Sequence, residues 1–162
     1  MDSDLLELYK KGIKTKEDIE VDYKSRLEEK ERVERMILLK TGLLCLRLTE
    51  DYFRETRYIL SKMEAEGGET LEIKYKRREL DNNIDIGSFV IDDDNRKYYR
   101  ILQLTDTDVP KTHCFVDMKT GIVYKPRNST TANKKLAWDI DECIRVADWR
   151  GYYLNEDPKI GE

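Results

Sequence analysis

Apolar residues recur every three or four positions through the first 66 residues and alternate in short runs after that. Leu5, Leu6, Leu8 and Tyr9 form a short apolar stretch ended by Gly12, a helix-terminating glycine. Thr15 and Asp18 stand at capping-box spacing, with an acid in place of the usual Glu or Gln, and mark the start of a second helix. Ile19, Tyr23, Leu27, Val33 and Ile37 follow at close to helical spacing among Glu, Lys and Arg, so this helix has a thin apolar face that needs a partner. Leu38 to Leu48 is apolar on nearly all sides, which predicts burial in a helix–helix contact, and Gly42 within it either breaks the helix or weakens it. Tyr52, Phe53, Ile59, Leu60 and Met63 continue the pattern until Gly67-Gly68 stops it. The expected product is an antiparallel pair of long helices, a helical hairpin, or one bent helix.

The period changes after Gly68. Leu71, Ile73 and Tyr75 alternate with Glu72, Lys74 and Lys76, which predicts a strand with one solvated face. Phe89-Val90-Ile91, Tyr99-Arg100-Ile101-Leu102 and His113-Cys114-Phe115-Val116 read as further strands, with a hairpin tip at Asp93-Asp94-Asn95. Met118-Lys119-Thr120-Gly121 is a tight turn into Ile122-Val123-Tyr124, so 112–125 forms a β-hairpin. Asp139 and Glu142 repeat the capping spacing before Cys143, Val146 and Ala147, a short closing helix. Long helices followed by a small antiparallel sheet with a short C-terminal helix make an α+β fold. The organisation expected is a helical region over 1–66, a sheet module with its terminal helix over 69–154, and a tail over 155–162.

Composition narrows the function classes. The 162 residues carry 30 basic and 34 acidic side chains and a net charge of −4, with 14 basic and 16 acidic in residues 1–66. Neither part has the positive excess that indiscriminate binding to nucleic acid or an anionic membrane requires. No apolar run approaches a membrane span, and the acidic start MDSDLLELYKK lacks the basic-then-apolar order of a signal peptide. Cys45, Cys114 and Cys143 are an odd, widely spaced set, which reads as free thiols in a reducing compartment. A cytoplasmic protein with no membrane partner is the expectation.

The C-terminal part carries a resemblance. Lys97-Tyr98-Tyr99-Arg100-Ile101, then His113-Cys114-Phe115-Val116-Asp117, then Thr120-Gly121-Ile122-Val123-Tyr124-Lys125-Pro126 resemble a small module common in bacteriophage proteins. In that module a KYxKI-like strand precedes a VHCFVDxxTGDVYKPASWKAPAK-like hairpin and loop and an ADWxGGYLY-like tail, matched here by Ala147-Asp148-Trp149-Arg150-Gly151-Tyr152-Tyr153-Leu154. The resemblance covers 97–154, and it departs from the pattern at Ser129, where the module has Trp, and at Ala132, where it has Pro. It implies a phage or prophage origin and action in a host bacterial cytoplasm, and it implies no reaction.

The candidate chemistry is sparse. His113 is the single histidine; Cys114 beside it is expected on the opposite strand face, and no CxxC pair exists, so neither a metal site nor a Cys–His nucleophile is expected. Asp92-Asp93-Asp94 lacks the alternating oxygens, central Gly and distal Glu of a calcium loop and reads as a solvated hairpin tip. No glycine-rich phosphate loop occurs, and no nucleophile, base and stabiliser come together, so the chain reads as a non-enzyme without a cofactor.

Two basic–aromatic patches remain, Lys74-Tyr75-Lys76-Arg77-Arg78 and Arg96-Lys97-Tyr98-Tyr99-Arg100, expected on neighbouring strands near Lys125, Arg127, Lys134 and Lys135. Lys and Arg neutralise phosphates while Tyr stacks on bases, so Lys76, Arg77, Arg78, Arg96, Lys97, Arg100, Lys125 and Lys134 are candidate nucleotide or single-strand contacts. The alternative is a solvated strand face, with Tyr75 and one of Tyr98 or Tyr99 directed to the core. Trp138, Trp149, Tyr152 and Tyr153 cap the sheet, or through Trp149 and Tyr152 anchor a partner. The leading expectation is a phage accessory protein that binds a host protein, for instance a component of an antiviral defence system, and inhibits it. It would use its helices and acidic stretches such as Glu28-Glu29 and Asp139-Ile140-Asp141-Glu142. A homodimer through the N-terminal helices suits the same stripe. The alternative is a nucleotide-binding, single-strand-binding or signal-sequestering protein, and a virion component is the third reading.

Overall fold

The helix former's richness in Leu, Glu, Lys and Arg carries one helix, α1, across Lys16–Gly67, straight through Gly42. The computed structural model describes residues 16–82 and 86–155 together with Leu6, Glu7 and Gly12. The expected Leu5–Tyr9 helix and the Thr15 cap therefore fall outside the described residues, apart from Leu6, Glu7 and Gly12, as does the tail beyond Asn155.

The chain divides into two units, residues 1–36 and 37–162. In the first, the helical turns are fastened by local ion pairs, Asp22–Arg26 at 2.9 Å and Glu29–Arg32 at 2.6 Å. Each such pair is worth about 0.3 kcal/mol. Val21, Tyr23, Leu27, Val33 and Met36 are exposed there.

In the second unit, Gly68 takes the left-handed conformation (φ +73°) and donates its N–H to the Glu64 carbonyl at 2.8 Å, closing α1. Next comes a helix, α2 (Leu71–Asn82), where alternation predicted a strand. Thr70 decides the outcome: its Oγ1 accepts the Ile73 N–H at 3.2 Å, a helix cap. Ile73 and Leu80, seven residues apart, are buried against Leu60 and Phe53 of α1, whereas Leu71 and Tyr75 are exposed. Three alternating residues are too few to separate a period of two from one of 3.6. Arg77 pairs with Glu64 at 2.5 Å and Arg57 with Asp81 at 3.3 Å, so α2 folds back on α1; the antiparallel partner expected within residues 1–66 is instead this later segment.

Five strands follow: β1 (Phe89–Asp92), β2 (Tyr98–Gln103), β3 (Lys111–Asp117), β4 (Ile122–Pro126) and β5 (Ala132–Asp139). They form an antiparallel meander in the order β1-β2-β3-β4-β5. The β3–β4 turn is built by Asp117, whose Oδ1 accepts the N–H of Lys119 at 2.8 Å and of Thr120 at 3.0 Å, and by Gly121 at φ +73°. β5 is not among the strands that the alternation predicts. Asn133, Lys134 and Lys135 hide its alternation, while Ala137 and Trp138 supply its buried half.

One sheet face is covered by Ile37, Leu44, Cys45 and Leu48 of α1, which pack with Ile101, Cys114, Val116, Val123 and Trp138. The Leu38–Leu48 segment thus packs chiefly on the sheet, because Ile37, Thr41, Leu44 and Leu48 share one helical face, and it meets the helix Ile140–Val146 through the Lys40–Asp141 ion pair at 3.0 Å. α3 (Ile140–Val146) and a 3₁₀ turn at Tyr152–Asn155 complete this layer with Ile140, Cys143, Ala147, Tyr153 and Leu154. Asp139 precedes α3 as its cap residue but makes no side-chain cap bond, and Glu142 instead binds Arg145. The other sheet face holds Tyr98, Phe115 and Ala132 with Tyr124 against them, the rings of Tyr98 and Phe115 edge-to-face at 5.9 Å. Among the described residues no helix is long and apolar enough to cross a membrane.

Candidate functional site

The sheet's pairing contains one irregularity that shapes a cleft. Ile101 pairs with Cys114 but Leu102 pairs with Thr112, which leaves His113 as the extra residue of a β-bulge. The bulge breaks alternation, so His113 and Cys114 do not separate to opposite faces as expected. The His113 ring lies edge-on to Phe89 at 5.2 Å and stacks on Tyr153 at 5.7 Å, both members of the cluster that holds Cys114. Its Nε2 shares a 2.7 Å hydrogen bond with the Tyr153 hydroxyl. Burial, and secondarily the Lys111 charge, push the His113 imidazole down to about 4, so it is neutral at pH 7. Burial likewise drives the Tyr153 hydroxyl well above its ordinary value.

The closing block Ala147–Leu154 is clamped by a set of bonds that explains its composition. The Asp148 carboxylate accepts the N–H groups of Tyr152 at 3.1 Å and Tyr153 at 2.9 Å, which starts the 3₁₀ turn. The Trp149 N–H donates to Asp51 at 3.0 Å and its indole Nε1–H to Glu55 at 2.6 Å. Arg150 lies over the Trp149 ring at 4.8 Å and pairs with Glu55 at 2.5 Å. Gly151, at φ +82°, puts no side chain over His113: a Cβ there would sit 3.6 Å from its Cε1.

A cleft of about 170 Å³ opens between this block and the ends of β3 and β4. Lys111, Lys125 and Arg150 supply its charge, Pro126, Trp149 and Leu154 its apolar wall, and Gln103, Thr112, His113, Gly151 and Asn155 complete the lining without a carboxylate. Gln103 is held by a 3.3 Å bond from its Nε2 to the Gly87 carbonyl, and Lys125 bonds to the Asn155 side chain.

A second feature is the α1 face turned away from the sheet. Leu39, Leu43 and Leu46 recur at i, i+4 and i+7 and are 59%, 46% and 60% exposed, with Leu38 beside them at 45%. Gly42 lies among them, and a Cβ there would meet nothing within 4 Å, so no contact within the chain calls for glycine. Between Arg35 and Leu48 the only charged residues are Arg35, Lys40 and Arg47.

The predicted site residues scatter. Lys76, Arg77 and Arg78 ride on α2, a helix, so the expected joint surface of neighbouring basic strands does not form, and Tyr75 is exposed, not in the core. Lys76 pairs with Glu79 at 3.8 Å. Arg96 and Lys97 are exposed at the β1–β2 hairpin, with the Lys97 ammonium 5.3 Å from the Tyr98 ring centre. Arg100 is tied to Asp92 at 2.7 Å and to the Ser129 carbonyl at 2.8 Å; Lys134 is exposed on β5. Tyr152 is exposed on the 3₁₀ turn. Among the described residues of the set, Lys125 and Trp149 meet at the cleft, and the Lys97 side chain reaches that of Lys134. Lys111, Gln103 and Arg150 join Lys125 and Trp149 at the cleft and belong to no predicted patch, since they lie far apart in sequence and meet only in the folded chain.

Asp92, Asp93 and Asp94 have carboxylates close enough to share an ion, but Asp92 is committed to Arg100 and to the Asp94 N–H at 3.1 Å. Those bonds, the Asp94 N–H first, hold its carboxyl below the ordinary range. The cysteines are free and buried; burial pushes the thiols of Cys45 and Cys143 to about 12 and that of Cys114 well above its ordinary value, which leaves them poor nucleophiles.

A model described as a family of unknown function (DUF7717) matches residues 21–155 of the chain. No curated protein matches it, and no solved structure does.

Proposed function

The chain belongs to that family of unknown function, so kinship supplies no activity, and we propose from its surface that it acts by binding a protein partner, with no catalysis of its own. The observation that carries this reading is the solvent-facing leucine stripe of α1, Leu39, Leu43 and Leu46. Contiguous exposed apolar surface of this kind marks protein interaction sites, and three leucines at this spacing fit a helix or groove laid along them. Gly42 strengthens the point. A glycine in mid-helix costs about 1 kcal/mol relative to alanine, and close approach of a partner backbone gives that cost a purpose.

Charge beside the stripe is mixed: Lys40 is paired with Asp141 at 3.0 Å, and exposed Glu50 stands one turn beyond Leu46, next to Arg47 on the helix. The resemblance of 97–154 to a bacteriophage module supports a host protein as that partner, and a defence component blocked by occlusion as its role. Occlusion needs complementarity and no chemistry.

The test is a tagged capture from nuclease-treated bacterial lysate, run beside the Leu39→Glu/Leu43→Glu variant. A host protein held in stoichiometric amount by the wild type and lost by a variant of unchanged melting temperature supports the reading, as does relief of phage restriction by the wild type alone. Equal capture by both chains overturns it. Self-association abolished by the same variant would instead make the stripe a homodimer interface. A second reading, a nucleotide-binding or signal-sequestering protein, draws on the cationic cleft and no longer on joined basic strands.

A further inference from the structure

We infer that the cleft between the closing block and the ends of β3 and β4 binds a small phosphate monoester, held by Lys111 and Lys125 against the wall of Trp149, Pro126 and Leu154. This deepens the second reading and is independent of the leucine stripe.

Charge balance leads the argument. Among the described residues three cations line the cleft and no carboxylate does. Arg150 is already neutralised by Glu55 at 2.5 Å, and its guanidinium is fixed over the Trp149 ring. Among the described residues no carboxylate pairs with Lys111 or Lys125; the recorded partner of Lys125 is the uncharged Asn155. Two uncompensated ammonium groups facing one small cleft call for a dianion, and a phosphate monoester carries about −1.5 to −2 at pH 7 where a carboxylate carries one charge. Lysines act on phosphate as point charges and need no fixed fork geometry.

The cleft is preorganised on its uncharged side. Gln103 is pinned to the Gly87 carbonyl and Thr112 donates to the Ser129 carbonyl at 2.9 Å, so neither has to be reordered when a ligand enters. Glycine at 151 keeps the His113 edge uncovered, which deepens the floor. A volume of about 170 Å³ suits a phosphate with a small organic group, not a polynucleotide, and the apolar wall gives that group its contact.

Trp149 lines the cleft and provides the signal, since Trp138 is buried in the core at 3% exposure. Phenyl phosphate and inorganic phosphate are titrated into the full chain at low salt, with tryptophan fluorescence as the readout. Saturable binding of phenyl phosphate, weakened by roughly tenfold or more in Lys111→Gln/Lys125→Gln, is the expected result, from the loss of two charge-assisted bonds. Lys119→Gln, in the β3–β4 turn, is expected to bind as the wild type does. Inorganic phosphate is expected to bind more weakly than the ester. No saturation up to ~10 mM overturns the inference. So does undiminished affinity in the double variant, and equal affinity for the two probes removes the assignment to an ester.

Discussion

His113 makes stability depend on pH in a window that can be calculated. Its imidazole is neutral and buried against Phe89 and Tyr153, and burial with the neighbouring Lys111 charge pushes it from 6.5 to about 4. Between those two values the unfolded chain takes up a proton that the folded chain refuses. Stability attributable to His113 is therefore constant above pH 6.5, declines as pH falls toward 4, and declines no further below it. At about 1.36 kcal/mol per pH unit, the drop from 6.5 to about 4 amounts to about 3 kcal/mol, a large part of a domain's total stability. The Asp92 carboxyl is held below its ordinary 3.8, so its contribution is present above that value and is lost only at lower pH. The measurement is urea unfolding by circular dichroism from pH 7.5 to 4, for wild type and His113→Gln. Gln keeps a hydrogen-bonding partner for the Tyr153 hydroxyl and cannot titrate. The wild-type curve should fall about 3 kcal/mol more than the variant's across the window. Parallel curves would refute the assignment of a buried, neutral His113.

Four further outcomes follow from packing. Gly87→Ala should cost about 3 kcal/mol in the same unfolding assay, because a Cβ there falls 2.0 Å from Tyr52 Cε1 and the backbone sits at φ +92°. Gly42→Ala should raise stability by about 1 kcal/mol and raise the melting temperature, yet weaken partner capture; stabilisation with full capture would remove Gly42 from the interface. Thr49→Val should cost about 2 kcal/mol, since Thr49 Oγ1 accepts the Phe89 N–H at 2.9 Å and that donor would be left without a partner at the start of β1. Cys45, Cys114 and Cys143 should resist a thiol reagent at pH 8 in the native protein and all react in urea, read by absorbance or mass.

Where the chain encodes its own punctuation, the fold was legible. Gly67-Gly68 ended α1 as read, and Asp117 with Gly121 built the expected hairpin turn, because glycine and a short carboxylate fix those backbone conformations locally. The misreadings share a different cause. Leu71, Ile73 and Tyr75 satisfied a strand pattern, and only the Thr70 cap and the distant partners Leu60 and Phe53 made the segment helical. The Leu38–Leu48 run looked as if it needed cover on all sides, yet the sheet covers one face and leaves the other to solvent. Hydrophobic content states how much surface is apolar and not which neighbour takes it.

The same distinction governs the site. Asp148, Trp149, Gly151 and Tyr153 stand out in the closing block, and each is occupied in holding the chain together: a turn cap, a clamp onto α1, a left-handed corner, a bond to His113. Prominent spacing here reports how the fold closes. After those bonds are assigned Lys111 and Lys125 remain, Lys125 from the Tyr124-Lys125-Pro126 block and Lys111 from outside it, and both line the cleft beside the β3 bulge at His113. A bulge is a relation between two strands, so the sequence of either strand alone does not contain it. Function in such a domain is therefore to be sought among the residues its architecture does not consume, which on the sheet side are the two cleft lysines and on the helix side are Leu39, Leu43 and Leu46.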